Sequence, residues 1–118
     1  MTEKVTEQQL LDMLDSSDWV DCHYAITHPD ATERVLVKAL ATQGWDLRCI
    51  AAQHPAATEV VLLLAARDPS EWVRGAAVQH PKATERVLLM CANDPNHVIR
   101  KAVREHPNAT KKVRRTVG

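Results

Sequence analysis

The pentapeptide His-Pro-x-Ala-Thr recurs at a fixed step of 26 residues, at His28–Thr32, His54–Thr58, His80–Thr84 and His106–Thr110. A period of roughly 20–50 residues marks a chain of stacked supersecondary units, because one such unit cannot bury its own apolar face. Registered on the His-Pro pair, the chain divides into units 2–27, 28–53, 54–79 and 80–105, with a closing half unit 106–118. The first unit carries Thr2 in place of His and is recognised by Thr6, one period before Thr32. No linker, low-complexity tract or second domain interrupts the pattern, so residues 1–118 read as a single helical-repeat domain.

The repeat predicts two short helices per unit. Each motif Thr is placed as an N-cap, and Thr6 with Gln9 fits a capping box. Apolar residues follow at i, i+1, i+4, i+5: Val35, Leu36, Ala39, Leu40; Val61, Leu62, Ala65, Ala66; Val87, Leu88, Cys91, Ala92. That is a helix seam. The second helix is predicted to open at Asp68-Pro69 and Asp94-Pro95, with Asp as cap and Pro in the first turn. Glu71 would complete a box with Asp68. Units one and two offer Ser16-Ser17 and Thr42-Gln43 there instead. The second stripe runs Leu47, Ile50, Ala51; Val73, Ala76, Ala77; Ile99, Ala102, Val103, and the next His-Pro ends it.

Asp68-Pro69-Ser70-Glu71-Trp72-Val73-Arg74 and Asp94-Pro95-Asn96-His97-Val98-Ile99-Arg100 resemble the second helix of a HEAT repeat. The short period and the alternation of Asp-Pro with His-Pro are similar to the bacterial leucine-rich repeat variant family. The resemblance covers the whole chain and is fullest in units three and four. It implies an all-α, right-handed solenoid that serves as a scaffold, with no particular chemistry. Some members of that family carry an iron–sulfur cluster on a cysteine-rich segment. No such segment exists here, so no cofactor is carried over.

Charge is uneven although the net charge is zero. Residues 1–27 hold six carboxylates against Lys4, whereas residues 106–118 hold four cations and no carboxylate. Such opposed ends are complementary for head-to-tail self-association. No apolar run reaches the roughly 18–20 residues that span a bilayer, and the start lacks a leader's apolar core. Three cysteines without CxxC spacing suit reduced thiols, so a cytoplasmic location is expected.

Candidate chemistry reduces to ladders. Rungs of the His ladder lie about 8–10 Å apart, too far to share one ion, so helix-end hydrogen bonding is expected instead. Arg48, Arg74 and Arg100 fall six residues after each Asp-Pro position and can reach the neighbouring unit, as such pairs do in HEAT repeats. Cys22, Cys49 and Cys91 read as packing residues. Trp19, Trp45 and Trp72 fall at the first turn of three successive second helices. They act either as exposed anchors or as covers over the seam between units.

No catalytic, cofactor or metal motif is present. The reading is a non-enzymatic protein-binding scaffold, an adaptor or an inhibitor that occupies a partner's surface. Its candidate strip is Trp19, Trp45, Trp72, Arg48, Arg74 and His97. The alternative is a nucleic-acid-binding repeat protein using Lys101, Arg104, Lys111, Lys112, Arg114 and Arg115.

Overall fold

The computed structural model describes residues 4–118; Thr2 and Glu3, which open the first unit, lie outside the described residues. Among the described residues the protein is all-helical. Its helices are α1 (Glu7–Met13), α2 (Trp19–Thr27), α3 (Glu33–Thr42), α4 (Trp45–Gln53), α5 (Glu59–Ala66), α6 (Glu71–Gln79), α7 (Glu85–Met90), α8 (His97–Glu105) and α9 (Lys111–Thr116). The Cα envelope measures 53 × 25 × 15 Å. Its radius of gyration, 15.1 Å, exceeds the roughly 13.5 Å expected of a compact globule of this length.

The helices form two rows. Odd-numbered helices follow the motif Thr, and α2, α4, α6 and α8 end on the motif His. Each helix packs on its sequence neighbour and on the helix one period away, so α4 touches α2, α3, α5 and α6. The apolar stripes fill the space between the rows. Val35, Leu36, Ala39, Val61, Leu62, Ala65, Val73, Ala77, Val87, Leu88 and Val103 are fully buried, while Leu40, Ile50 and Ala102 stay half-buried at the margin.

Thr6, Thr32, Thr58, Thr84 and Thr110 all cap their helices, and the Thr6–Gln9 capping box is complete. The second helices open later than the Asp-Pro signal predicts. Ser70 caps α6 and Asn96 caps α8, two residues beyond Asp68 and Asp94. Asp18 caps α2, and Gly44 precedes α4 with no side-chain cap. The reason is that each Asp carboxylate is already committed. Asp68 accepts from the Ser70 N–H at 2.9 Å and Asp94 from the Asn96 N–H at 2.9 Å, and both also bind an arginine. Pro69 and Pro95 therefore sit in the turn before the helix. Glu71 does not complete a box with Asp68; it accepts from the Asn96 side chain instead.

Every residue of the pentapeptide has a physical task. The His carbonyl closes a turn by accepting from the Ala N–H three residues on, as in Ala57 to His54 and Ala83 to His80, both at 3.0 Å. Pro occupies the second position of that turn, which its fixed φ favours. The Ala is buried. The Thr hydroxyl caps its helix and donates to the first glutamate of the preceding odd helix: Thr32 to Glu7, Thr58 to Glu33, Thr84 to Glu59.

The imidazole links the units. His54, His80 and His106 are buried. Their Nδ1 atoms accept from the backbone N–H of Ala56, Lys82 and Asn108 at 2.9–3.0 Å. A backbone N–H can only donate, so Nδ1 is unprotonated and Nε2 carries the hydrogen. Nε2 donates to the carbonyl of the preceding motif His: His54 to His28 at 2.9 Å, His80 to His54 at 2.8 Å, His106 to His80 at 2.8 Å. The ladder thus runs imidazole to carbonyl, one unit at a time.

Removing a buried rung strands donors and acceptors at about 1–3 kcal/mol each. His80→Ala is expected to cost about 2–3 kcal/mol, measured as a shift in the urea midpoint at constant m-value. His28→Ala, whose ring is only half-buried, should cost clearly less. Equal losses at the two sites would mean that burial of the rung is not what matters.

Candidate functional site

The outward face of α2, α4, α6 and α8 carries the tryptophans. Trp19 and Trp45 are the first residues of α2 and α4, and Trp72 is the second of α6. All three are exposed, at 49%, 53% and 65%, so the row is open to solvent. His97, the first residue of α8, is exposed too. The rings are not isolated. Trp19 stacks on His23 at 4.8 Å and donates its indole N–H to Asp46 at 3.2 Å. Trp45 and Trp72 approach to 6.3 Å between centroids with their planes inclined at 31°.

Trp45 and Trp72 wall a groove of about 350 Å³ running across α4, α6 and α8. Gly75, Ala76, Ile99, Val98, Asn96, Gln53 and Gln79 line it. Cys49 and Glu71 complete the lining. Gly75 lines the groove from the middle of α6 and adds no side chain to it. A Cβ at Gly75 would meet only Ile99 Cγ1, at 4.0 Å. A mid-helix Gly is destabilising by roughly 0.5–1 kcal/mol relative to Ala, and nothing in the packing of α6 requires it.

Arg48 and Arg74 lie elsewhere. Each is a staple between units. Arg48 grips Asp68 through Nε and Nη2 at 2.8 and 3.0 Å, and its Nη1 donates to the Gln43 carbonyl. Arg74 grips Asp94 at 2.8 and 3.2 Å, and its Nη1 donates to the Asp68 and Pro69 carbonyls. The hydrogen bond to aspartate outweighs desolvation and raises both guanidinium pKa values. Engaged in these bonds between units, Arg48 and Arg74 do not line the groove. Arg100 repeats the turn contact, donating to the Asp94 and Pro95 carbonyls. In the first unit Cys22 takes the Arg position, its Sγ lying 3.5 Å from the Ser16 carbonyl.

The basic candidates are all exposed: Lys101 and Arg104 on α8, Lys111, Lys112, Arg114 and Arg115 on or beside α9. Arg114 occupies the register place of the buried Leu62 and Leu88, and Arg104 that of the buried Val78. The acidic end is partly neutralised within the fold. Glu7 pairs with Arg34 at 2.8 Å and Asp15 with Lys38 at 3.0 Å.

The thiols are held protonated near neutral pH. Burial raises Cys22, with Asp21 adding to it; burial and then Asp68 raise Cys49; burial pushes Cys91 up to about 11. Among the described residues no group of three or more His, Cys, Asp and Glu has metal-holding geometry, and no helix is long and apolar enough to cross a membrane.

Sequence reading missed Cys49, Gln53, Glu71, Gly75, Gln79 and Val98 as groove residues. The signal was present. Cys49 and Gln53 lie four and eight residues beyond Trp45, on the same helix face, and Gly75 and Gln79 lie likewise beyond Glu71. Compared with protein-family models, curated proteins and solved structures, the chain finds no match.

The Arg74–Asp94 staple has a definite acid signature. Burial pushes the Asp94 carboxyl up, but the Arg74 hydrogen bond, the Asn96 N–H and the charges of Arg74 and Arg100 together hold it below its ordinary range. A depressed carboxylate contributes stability above its unfolded value, about 3.9, and loses it as pH falls through the folded value. Unfolding free energy should therefore drop below about pH 4. Asp94→Asn should be less stable at pH 7 yet show a shallower acid limb. Arg74→Ala, which leaves Asp94 buried and unpaired, should cost about 3 kcal/mol. Matching acid limbs for the wild type and Asp94→Asn would contradict this assignment.

Proposed function

We propose that the chain is a right-handed α-solenoid of about four and a half 26-residue units, similar to the leucine-rich repeat variant and HEAT-like proteins. It acts as one non-catalytic protein-binding domain. The observation that carries this reading is the open row of Trp19, Trp45, Trp72 and Val98 on one face, each about half exposed or more. Large apolar side chains grouped on a surface mark an interaction site, and tryptophan is the residue most enriched among binding anchors. The groove beside them is bordered by amides, which suits main-chain hydrogen bonding by a bound segment.

The nucleic-acid alternative has less support. Its six cations lie on the last two helices, whereas Trp19, Trp45 and Trp72 lie on α2, α4 and α6. Arg104 and Arg114 stand in registers that hold buried apolar residues in earlier units. Phosphate binding would require steep loss of affinity with salt.

The test is retention of host proteins on the immobilised full chain after nuclease treatment. Trp45→Ala and Trp72→Ala should each weaken retention of the specific partner by about tenfold or more, the scale of an anchor residue. The melting temperature should change little, because both rings are more than half exposed. Unchanged retention by both variants would remove the Trp row from the function. Tight, salt-sensitive binding of random-sequence duplex DNA would favour the nucleic-acid reading.

A further inference from the structure

We propose that the occupant of the groove between α4, α6 and α8 is an arginine-bearing extended segment of the partner protein. This rests on the protein-binding reading and specifies what that face recognises. The charge of the groove points to a cation; Lys101, on the outward face of α8, does not line it. The groove lining holds one carboxylate, Glu71, and no lysine or arginine. Asp46 follows Trp45 directly, and Asp18 caps α2 beside Trp19. Among the described residues none of these three carboxylates has an ion-pair partner. Their hydrogen bonds come from neutral groups: the Trp19 indole to Asp46, the Asn96 amide to Glu71, and backbone N–H groups.

The aromatic geometry points to a flat cation. The indoles of Trp45 and Trp72, 6.3 Å apart and inclined at 31°, offer exposed π faces beside the Glu71 carboxylate. A guanidinium stacks on indole and turns its edge donors to a carboxylate, which an ammonium cannot do. Gly75 brings no side chain into the groove, and a Cβ there would meet only Ile99 at 4.0 Å, which leaves room for a side chain of the occupant. A volume of about 350 Å³ is at the small end of ligand pockets and suits one such side chain with a short run of main chain. Gln53 and Gln79, which line the groove, can pair with the peptide groups of that run.

The test is selection of a random twelve-residue peptide display library on the full-length protein. Trp72→Ala, Glu71→Gln and Gly75→Leu are carried in parallel. The wild type should enrich peptides with arginine at one fixed position. Replacing that arginine by lysine in a fluorescein-labelled consensus peptide should weaken binding at least fivefold, and replacing it by glutamate should abolish it. Glu71→Gln should weaken binding about tenfold. Gly75→Leu should abolish it while melting at or above the wild-type temperature, since a Cβ there meets only Ile99 at 4.0 Å and leucine is a better helix former than glycine. Enriched peptides that need Trp72 but carry no arginine, or that bind Glu71→Gln as well as the wild type, would overturn this inference and leave the protein-binding face standing. Absence of any Trp72-dependent peptide would overturn both.

Discussion

The hydrogen bond from each motif imidazole to the carbonyl of the previous motif His is the contact on which the rest depends. It spans one period, and it sits where a second helix ends and the next first helix begins. The carbonyl of His54 shows the economy of the arrangement. It closes its own turn through the Ala57 N–H and receives His80 Nε2 from the following unit. One peptide group thereby fixes both local conformation and spacing. Because Nδ1 is engaged by a backbone N–H in each turn, the ring cannot flip or change tautomer without losing two bonds. The units are locked at a constant offset, and the apolar stripes meet in the same register at every step.

Two further bonds work at other heights of the same stack. The Arg48–Asp68 and Arg74–Asp94 pairs join the turns at the opposite ends of the helices, and the Thr–Glu bonds join the starts of the odd helices. All three run from one unit to its neighbour. A repeat whose apolar core is built mainly from Ala, Val and Leu gains little orientation from packing alone, because small side chains interdigitate weakly. Directional polar bonds at both ends of each helix pair supply the alignment that the core does not. No buried side-chain nitrogen or oxygen among the described residues lacks a partner, so the polar ladders add order without leaving desolvated groups unpaired.

Much of this was legible in the sequence, because spacing carried it. The 26-residue step, the Thr caps and the helical stripes all follow from period and residue type. Asp68 and Asp94 were misplaced as helix caps because two uses of a carboxylate compete, and local sequence reveals only one of them. Ser70 and Asn96 look unremarkable as caps until the aspartates are known to be taken. The exposure of Trp19, Trp45 and Trp72 was likewise undecidable from spacing. A first-turn residue can lean over the seam or away from it, and which it does depends on the offset between units, a tertiary quantity. Gly75 as a groove residue required the neighbouring helix to be in place.

The repeat also contains its own control. Positions that stack recur: His, Pro, Ala and Thr in four turns, Arg at three rungs and Asp at two in the staple, and Val-Leu pairs in the stripe of three successive odd helices. Positions on the outward face of the second helices do not. One register reads Trp19, Trp45, Glu71, His97; the next reads Val20, Asp46, Trp72, Val98; a turn further on come His23, Cys49, Gly75, Lys101. If that face served only to keep the units apart from water, any polar residue would do, and exposed tryptophans would be a liability for solubility. A mid-helix glycine would be a cost with no return. The variation is instead specific: bulk at two rungs, a void at the third, carboxylates beside the bulk. Repeated ladders make such variation tolerable, because the His, Arg–Asp and Thr–Glu bonds set the spacing of the units whichever residues face outward. On the protein-binding reading proposed above, stability rests with the recurring residues and recognition with the variable ones.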